Sequence, residues 1–323
     1  LTKIQRMPMS PIGPSNSLVN PRFANISTFA HLPRIDQLET GCDIAIVGAP
    51  FDAGVSYRPG ARFGPQGIRA GSQLLRPFDP ALGISPFDLV QVADCGDLAI
   101  NPFALDVAIE QIYSGAQQLL ATSPRLMVLG GDHTITLPLL RAAHEIYGPL
   151  AVVHFDSHLD TWDTYFGAPY THGTPFRRAY EEGLLAPKAC SHIGTRGPLY
   201  GVDDLTDDAS FGFEITSADT LDAKGSENIA EQVRARCADY KVYLSLDIDV
   251  LDPAYAPGTG TPEAGGPSSG DILRLLRALR GLPIVGCDVV EVSPAYDHAE
   301  VTSIAASHIA YTMIGLMAEN LSS

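Results

Sequence analysis

The feature that most limits the folds open to this chain is a set of short apolar, β-branched runs, most of them followed by Gly, Pro or Asp. The clearest are residues 44–47, 126–129, 150–155, 242–246 and 284–290. They are continuously apolar rather than alternating, the pattern of parallel strands buried on both faces. Between them lie segments with apolar residues three and four apart: 105–120, 136–146, 228–237, 270–280 and 302–317. That spacing predicts amphipathic helices. Strand and helix in alternation predict an α/β fold, a mostly parallel β-sheet flanked by helices on both faces. Residues 1–40, rich in Pro, Ser and Asn and without a clear period, read as an extended N-terminal arm. No internal repeat or second linker divides the remainder, so residues 41–323 read as a single domain.

Charge and cysteine usage narrow the function. Acidic groups outnumber basic ones by 37 to 21, a formal charge of -16. Nucleic acid and anionic membranes select clustered Lys and Arg, so neither is expected as a partner. The balance suits a cationic substrate or divalent metal ions. The five cysteines (Cys42, Cys95, Cys190, Cys237, Cys287) are scattered and never form a C-x-x-C pair. They predict reduced thiols in a cytoplasmic protein rather than a disulfide scaffold or a thiolate zinc site. No charged segment followed by an apolar one opens the chain, and we find no apolar run of about 18 residues, so neither export nor membrane spanning is expected.

In parallel sheets, ligand chemistry gathers where loops leave the C-terminal ends of strands. Here those ends carry a coherent set. One run ends in Gly130-Gly131-Asp132-His133, a second in His154-Phe155-Asp156-Ser157-His158-Leu159-Asp160, a third in Ser245-Leu246-Asp247-Ile248-Asp249, and a fourth in Asp288-Val289-Val290-Glu291. Alternate residues of extended chain point the same way, so Asp156, His158 and Asp160 share a side, as do Asp247 and Asp249. Nitrogen and oxygen ligands without sulfur suit Mn²⁺ and tolerate Ni²⁺, Co²⁺ or Zn²⁺. Four carboxylates converging without cations would repel strongly. Two divalent ions match their four negative charges, so the count favours a metal pair.

Each motif alone has a plainer meaning. Asp-x-Asp at a strand end is common, and Gly-Gly-Asp-His fits a turn and helix start capped by Asp132 or Thr134. It is their conjunction at consecutive strand ends that points to a site. His154 lies within an apolar strand and reads as a satisfied core histidine. His31, His144, His192, His298 and His308 lack partner motifs. His172 lies in a loop shortly after the Asp156 motif, where an imidazole can exchange protons near neutral pH.

These residues closely resemble the ureohydrolase (arginase/agmatinase) family from about Phe23 to the C-terminus. The three strand-end motifs carry the resemblance, continued by Pro257-Gly258-Thr259-Gly260-Thr261-Pro262-Glu263 and Glu291-Val292-Ser293-Pro294. Arg58-Pro59-Gly60-Ala61-Arg62-Phe63-Gly64-Pro65 and Ile26-Ser27-Thr28-Phe29 resemble the agmatinase branch, and residues 171–178 its members guanidinobutyrase, guanidinopropionase and proclavaminate amidinohydrolase. Two departures are Ser157, where the family pattern has Ala, and Trp162, where smaller polar residues are usual. Neither removes a ligand; both lie close enough to reshape the pocket.

The resemblance implies an arginase-like three-layer fold and hydrolysis of a guanidino compound to urea and an amine, with two Mn²⁺ as the usual metals and Ni²⁺ or Co²⁺ as substitutes. The implied substrates are agmatine or a guanidino acid such as 4-guanidinobutyrate or 3-guanidinopropionate. It places His133 and Asp160 on one metal, His158 and Asp249 on the other, and Asp156 and Asp247 between them. Asp160 also orients the nucleophile, Glu291 holds the guanidinium and His172 shuttles protons. Tyr170, Trp162 and Arg58 are candidates for the substrate's far end. Homotrimers or hexamers are implied. Two rival readings are a hydrolase of another guanidine or formimino derivative on the same metals, and a non-catalytic homologue that partners an active subunit.

Overall fold

A computed structural model describes residues 10–322, so positions 1–9 of the expected arm lie outside the described residues. Eight strands form one sheet: β1 (Ile44–Ala49), β2 (Val92–Asp97), β3 (Arg125–Gly130), β4 (Leu150–Phe155), β5 (Cys190–Thr195), β6 (Phe213–Ser217), β7 (Lys241–Asp247) and β8 (Ile284–Val290). Their order is β2-β1-β3-β8-β7-β4-β5-β6, and every pairing is parallel. The five apolar runs are five of the six inner strands. The sheet edges are β2 and β6, which pack on one side only and therefore carry polar residues.

Side chains alternate between two cores. Ile44 and Ile46 of β1 face one, with Val153, Phe155, Leu244 and Leu246. Ala45 and Val47 face the other, with Val152 and Tyr243. The first core is covered by α1 (Gly64–Ser72), α8 (Ser226–Cys237), α9 (Ser269–Ala278) and α10 (Val301–Ser322). The second is covered by α3 (Leu105–Leu120), α4 (Thr136–Tyr147) and α5 (Pro175–Glu181). Helices α2 (Pro86–Leu89), α6 (Asp203–Phe211) and α7 (Ala218–Lys224) are the remaining α-helices among the described residues. Helix, sheet and helix thus form three layers, as the alternation predicted.

One expectation is corrected. Helix α10 is long and apolar enough to cross a membrane by length and composition, although no such run was expected; 83% of its apolar window is buried inside the molecule. Buried on nearly all sides, it needs no polar face, which is why it lacks the amphipathic stripe of a surface helix.

Ahead of the sheet, Phe29–His31 forms a 3-10 turn, and the Phe29 and Ala30 amides donate to Asp94 Oδ2 and Ser72 Oγ, both at 2.8 Å. The topology positions the site. Successive strands β3 and β4 are separated in the sheet by β8 and β7, so the loops leaving their C-terminal ends part and open a crevice. All four motif-bearing strand ends, β3, β8, β7 and β4, are neighbours there.

Candidate metal centre and active site

His133 follows β3 in a tight turn. Gly131 makes that turn possible, because a Cβ there would lie 1.9 Å from the Phe51 carbonyl oxygen. Asp132 caps the turn, its Oδ1 accepting from the Thr134 amide at 2.9 Å. The plain reading of Gly-Gly-Asp-His as a capped turn therefore holds together with the functional one. His133 is fully buried, and its Nδ1 faces Asp160 Oδ2 at 2.9 Å, Asp156 Oδ2 at 3.2 Å and Asp247 Oδ2 at 3.5 Å.

The far side of the ring fixes its tautomer. His133 Nε2 lies 2.8 Å from Ser245 Oγ, whose hydroxyl donates to Asp288 Oδ1 at 2.7 Å. Asp288 Oδ2 is occupied by Thr136 Oγ1 and the Tyr243 hydroxyl, each at 2.9 Å. Ser245 is thus an acceptor toward His133, so Nε2 carries the proton and Nδ1 presents a lone pair. That lone pair points at three carboxylate oxygens, and Nδ1 has no hydrogen-bond partner among the described residues. Acceptors converging on acceptors are stable only around a cation, with an outer hydrogen bond holding the imidazole as in metal sites generally.

A second convergence adjoins the first. His158 Nδ1 is 3.2 Å from both Asp156 Oδ1 and Asp249 Oδ2. Asp249 Oδ1 accepts from the Ser157 hydroxyl at 2.7 Å, so the serine at this departure braces a carboxylate of the cluster. His133, His154, Asp156 and Asp160 form one group of metal-competent atoms and Asp156, His158 and Asp249 another. Asp156 belongs to both, as a bridge between two ions requires. We discount His154 as a ligand, because both its nitrogens are engaged, Nε2 with Asp156 at 2.8 Å and Nδ1 with His192 at 2.7 Å. Asp247 fills that place better. The satisfied core histidine expected at 154 is what the structure shows.

Electrostatics show the same demand for positive charge: against the opposing effect of burial, the facing carboxylates raise His133 and His158 well above the usual histidine range. Against the opposing effect of burial, His154, His133 and His158 hold Asp156 well below the usual carboxylate range. Asp247 is pushed well up by burial and by Asp249 and Asp156; Asp160 and Asp249 are raised by burial and by Asp156. Burial holds His154 down at about 3, so that ring is neutral. The donor set fits two hard or borderline divalent ions, and its raised carboxylates are a cost that such ions remove.

Beside this cluster, Glu291 leaves β8 with its amide donating to the Gly131 carbonyl at 2.8 Å. Its Oε1 accepts from the His133 amide at 3.0 Å and lies 3.0 Å from His172 Nδ1. Its Oε2 is buried without a partner among the described residues. His172 Nε2 meets the Ser56 hydroxyl at 2.7 Å and the Ser56 amide at 3.1 Å. Burial depresses the His172 ring, but the bond to Glu291 and the charges of Glu291, Asp160 and Asp132 outweigh it and raise it to about 9. The Ser56 amide, which can only donate, favours the neutral ring instead. Both protonation states therefore have a partner, as a proton shuttle needs.

Trp162 packs edge-on against Tyr165 and Tyr200, with ring centroids 5.6 and 5.8 Å apart. This aromatic wall runs from His158, 6.5 Å from Trp162, to His172, 6.5 Å from Tyr165. Arg58 is stacked on Tyr57 and Tyr296. Its carbonyl, and Glu291 Oε2, both flank Gly260. Tyr170 is placed differently from expectation. It is partly buried against the second core and lies close to Arg141 of α4. Ser56, Tyr165 and Tyr200 were not anticipated. Ser245 and Asp288 open two of the strand-end motifs but were given no role there.

A sequence model of the arginase family matches residues 42–315. This chain belongs to the arginase family. Among its relatives, proclavaminate amidinohydrolase of Streptomyces clavuligerus is 45% identical over 294 residues, covering 91% of this chain and 94% of that one. Guanidinobutyrase of Pseudomonas aeruginosa is 43% identical, over 91% of this chain and 93% of that one. Putative agmatinase 3 of Schizosaccharomyces pombe is 42% identical, over 94% and 82%. The solved proclavaminate amidino hydrolase from Streptomyces clavuligerus superposes with a TM-score of 0.89 at 44% identity, covering 93% of this chain and 100% of that one. The arginase-like fold and the amidinohydrolase class expected from the motifs follow.

Proposed function

We propose that this arginase-family amidinohydrolase cleaves the guanidinium group of a small guanidino acid to urea and an amine, using two divalent ions, Mn²⁺ by preference. His133 and Asp160 would hold one ion and His158 and Asp249 the other, with Asp156 and Asp247 available to both. The observation that carries the reading is the free Glu291 Oε2, a buried acceptor beside the His133 cluster. A planar cation with in-plane N–H donors satisfies it, and a charge-assisted contact of that kind both binds and orients.

Guanidinium is resonance-stabilised and resists attack by plain water. Two divalent ions, when bound, lower the pKa of water and so supply a nucleophile at neutral pH. The chain's residues do the rest. Asp160 accepts the remaining hydrogen of the attacking oxygen and aims its lone pair at the guanidinium carbon. Glu291 holds that carbon in line. As the bond from carbon to the alkyl-bearing nitrogen breaks, His172 delivers a proton to that nitrogen and the amine leaves. Ser56, at His172 Nε2, connects the ring to its proton supply. The wall of Trp162, Tyr165 and Tyr200 shields the reacting plane from bulk water.

An acid at the substrate's far end is favoured by Arg58, whose guanidinium is stacked on two tyrosines and is paired with no carboxylate among the described residues. The guanidino-acid names of several relatives support the same choice, with agmatine as second reading. We expect a homotrimer or hexamer from the family resemblance, and a cytoplasmic protein from the five scattered, unpaired cysteines. The test is urea release from 4-guanidinobutyrate, 3-guanidinopropionate, agmatine, arginine and free guanidine, with bound metal measured in parallel. Release of formamide from a formimino substrate, with no urea from any guanidino compound, would sink the proposal. So would inactivity on the whole panel after Mn²⁺ or Ni²⁺ loading.

A further inference from the structure

Helix α6 docks on the molecule in an unusual way: its one buried residue is a carboxylate, Asp208. Asp208 is fully buried, and a buried carboxylate costs several kcal/mol unless it is hydrogen-bonded or paired. Its Oδ1 receives two contacts, from Thr161 Oγ1 at 2.8 Å and from His192 Nε2 at 3.1 Å. The His192 contact continues inward. His192 and His154 are register partners on the adjacent strands β5 and β4, and their Nδ1 atoms lie 2.7 Å apart. His154 Nε2 then reaches Asp156 Oδ2 at 2.8 Å. His192 is clamped flat on Phe213, with ring centroids 4.0 Å apart and planes 8° apart.

The Thr161 contact reaches the same loop from its other end. Thr161 follows Asp160, whose backbone is held in the left-handed region at φ 55°. A non-glycine residue keeps that conformation only where its surroundings enforce it. One buried carboxylate on α6 therefore grips both ends of the five-residue segment that begins at Asp156 and ends at Asp160.

We propose that Asp208 is a positioning residue for the metal centre, orienting Asp156 through His192 and His154 and Asp160 through Thr161. The proposal rests on the reading of Asp156 and Asp160 as metal ligands. Proton counting gives it direction. The three contacts from Asp156 to His154, His192 and Asp208 each need one proton, and two neutral imidazoles supply two. With Asp156 an ionised ligand, His154 donates from Nε2 and accepts at Nδ1 from His192, and the third proton belongs to the His192–Asp208 contact. The outer pair is then neutral as a unit, adding no charge near four carboxylates. It locks His154 as a donor, so that the remaining lone pairs of Asp156 stay aimed at the metals.

Four near-isosteric variants test this. Asp208→Asn keeps both contacts, because its amide can donate one N–H to His192 Nε2 and the other to Thr161 Oγ1. Asp208→Leu breaks both, His192→Phe breaks the inner arm while preserving the stack on Phe213, and Thr161→Val breaks the outer arm. Metal affinity is read by chelator competition with Mn²⁺, and turnover by urea release at saturating Mn²⁺. Asp208→Leu is expected to lose roughly 10- to 100-fold in Mn²⁺ affinity, the usual cost of removing an outer hydrogen bond to a ligand. His192→Phe and Thr161→Val should each lose part of that, and Asp208→Asn should match wild type. Merely structural damage would lower the melting temperature of all variants without sparing the affinity of Asp208→Asn. Wild-type affinity in both Asp208→Leu and His192→Phe would overturn the proposal, as would equal losses in Asp208→Asn and Asp208→Leu. If Asp208→Leu does not fold, His192→Phe and Thr161→Val against Asp208→Asn decide the matter alone. A wild-type protein that binds no pair of metals would instead defeat the underlying functional reading.

Discussion

Two acidic residues of the site, Asp160 and Glu291, occupy left-handed backbone, at φ 55° and 63°. Such conformations cost about 1–3 kcal/mol each and persist where neighbours over-determine them. At Glu291 the enforcing contacts are the hydrogen bond its amide donates to the Gly131 carbonyl and the hydrogen bond Oε1 accepts from the His133 amide. The carboxylate thus reaches the substrate already oriented. Glu291→Gln keeps the shape and removes the charge, so kcat/KM should fall roughly 10²–10³-fold, the scale of losing one preorganised electrostatic contact. Bound metal should stay at the wild-type level; a parallel loss of metal would mean that Glu291 is a ligand instead. His172 makes a separate prediction about stability. Its pKa is raised to about 9 against the opposing effect of burial, chiefly by its bond to Glu291. A raised folded-state value stabilises fully below the ordinary histidine value of about 6.5 and is lost as pH rises through the raised one. In metal-free protein, the stability gap between wild type and His172→Gln should narrow from pH 6.5 toward pH 9 in urea denaturation; a gap that widens would contradict the pairing. At this scale the metal ligands were legible because each stands at the polar end of an apolar run with period-two spacing. Asp208 and His192 were not, because nothing local marks them and only strand register and helix docking bring them together.

Among the elements, α1 shows why some sequences hide their structure. Its Gly64, Gly67 and Gly71 fall on one face, where added Cβ atoms would meet the Gly130 carbonyl at 2.6 Å, Pro294 Cγ at 2.8 Å and the Ser303 carbonyl at 2.5 Å. Read as a sequence, Gly-Pro-Gln-Gly-Ile-Arg-Ala-Gly-Ser looks like a loop, since glycine and proline disfavour helix. Tertiary packing overrides that propensity, because only glycine lets α1 lie against the exit of β3 and the start of α10. The same competition hid β5, where Ser191 and His192 are buried and His192 is held by His154 and Asp208, and the edge strands β2 and β6. The long amphipathic helix α3 and the apolar inner strands had no such conflict and were readable. Gly71→Ala is accordingly expected to destabilise by about 1–3 kcal/mol, since the obstacle is backbone rather than a movable side chain. Chemical denaturation measures this directly, and a midpoint equal to wild type would show that α1 and α10 do not approach this closely.

Across the whole molecule, folding concentrates negative charge instead of dispersing it. The sequence carries a formal charge of -16, and four ionisable carboxylates, Asp156, Asp160, Asp247 and Asp249, are buried at one crevice. Without cations three of these, Asp160, Asp247 and Asp249, are pushed above their ordinary range by burial and mutual repulsion. The raised cluster therefore binds protons more readily than ordinary carboxylates do, and metal, whose ligands bind deprotonated, competes with those protons. Two linked effects follow. Mn²⁺ binding should release protons, seen as a buffer-dependent heat when titrations are compared in buffers of different ionisation enthalpy, and affinity should weaken as pH falls. Metal should also stabilise the fold by mass action, by about 4 kcal/mol when free metal is roughly a thousand times its dissociation constant. Stripping the protein with chelator should reverse that gain, and the loss should be smaller in Asp247→Asn, where one buried charge no longer needs a counterion. If the metal-free wild type were instead as stable as the loaded protein, with no buffer-dependent heat, the crowded carboxylates would have to be neutralised by the protein itself, and the binuclear reading would lose its electrostatic basis.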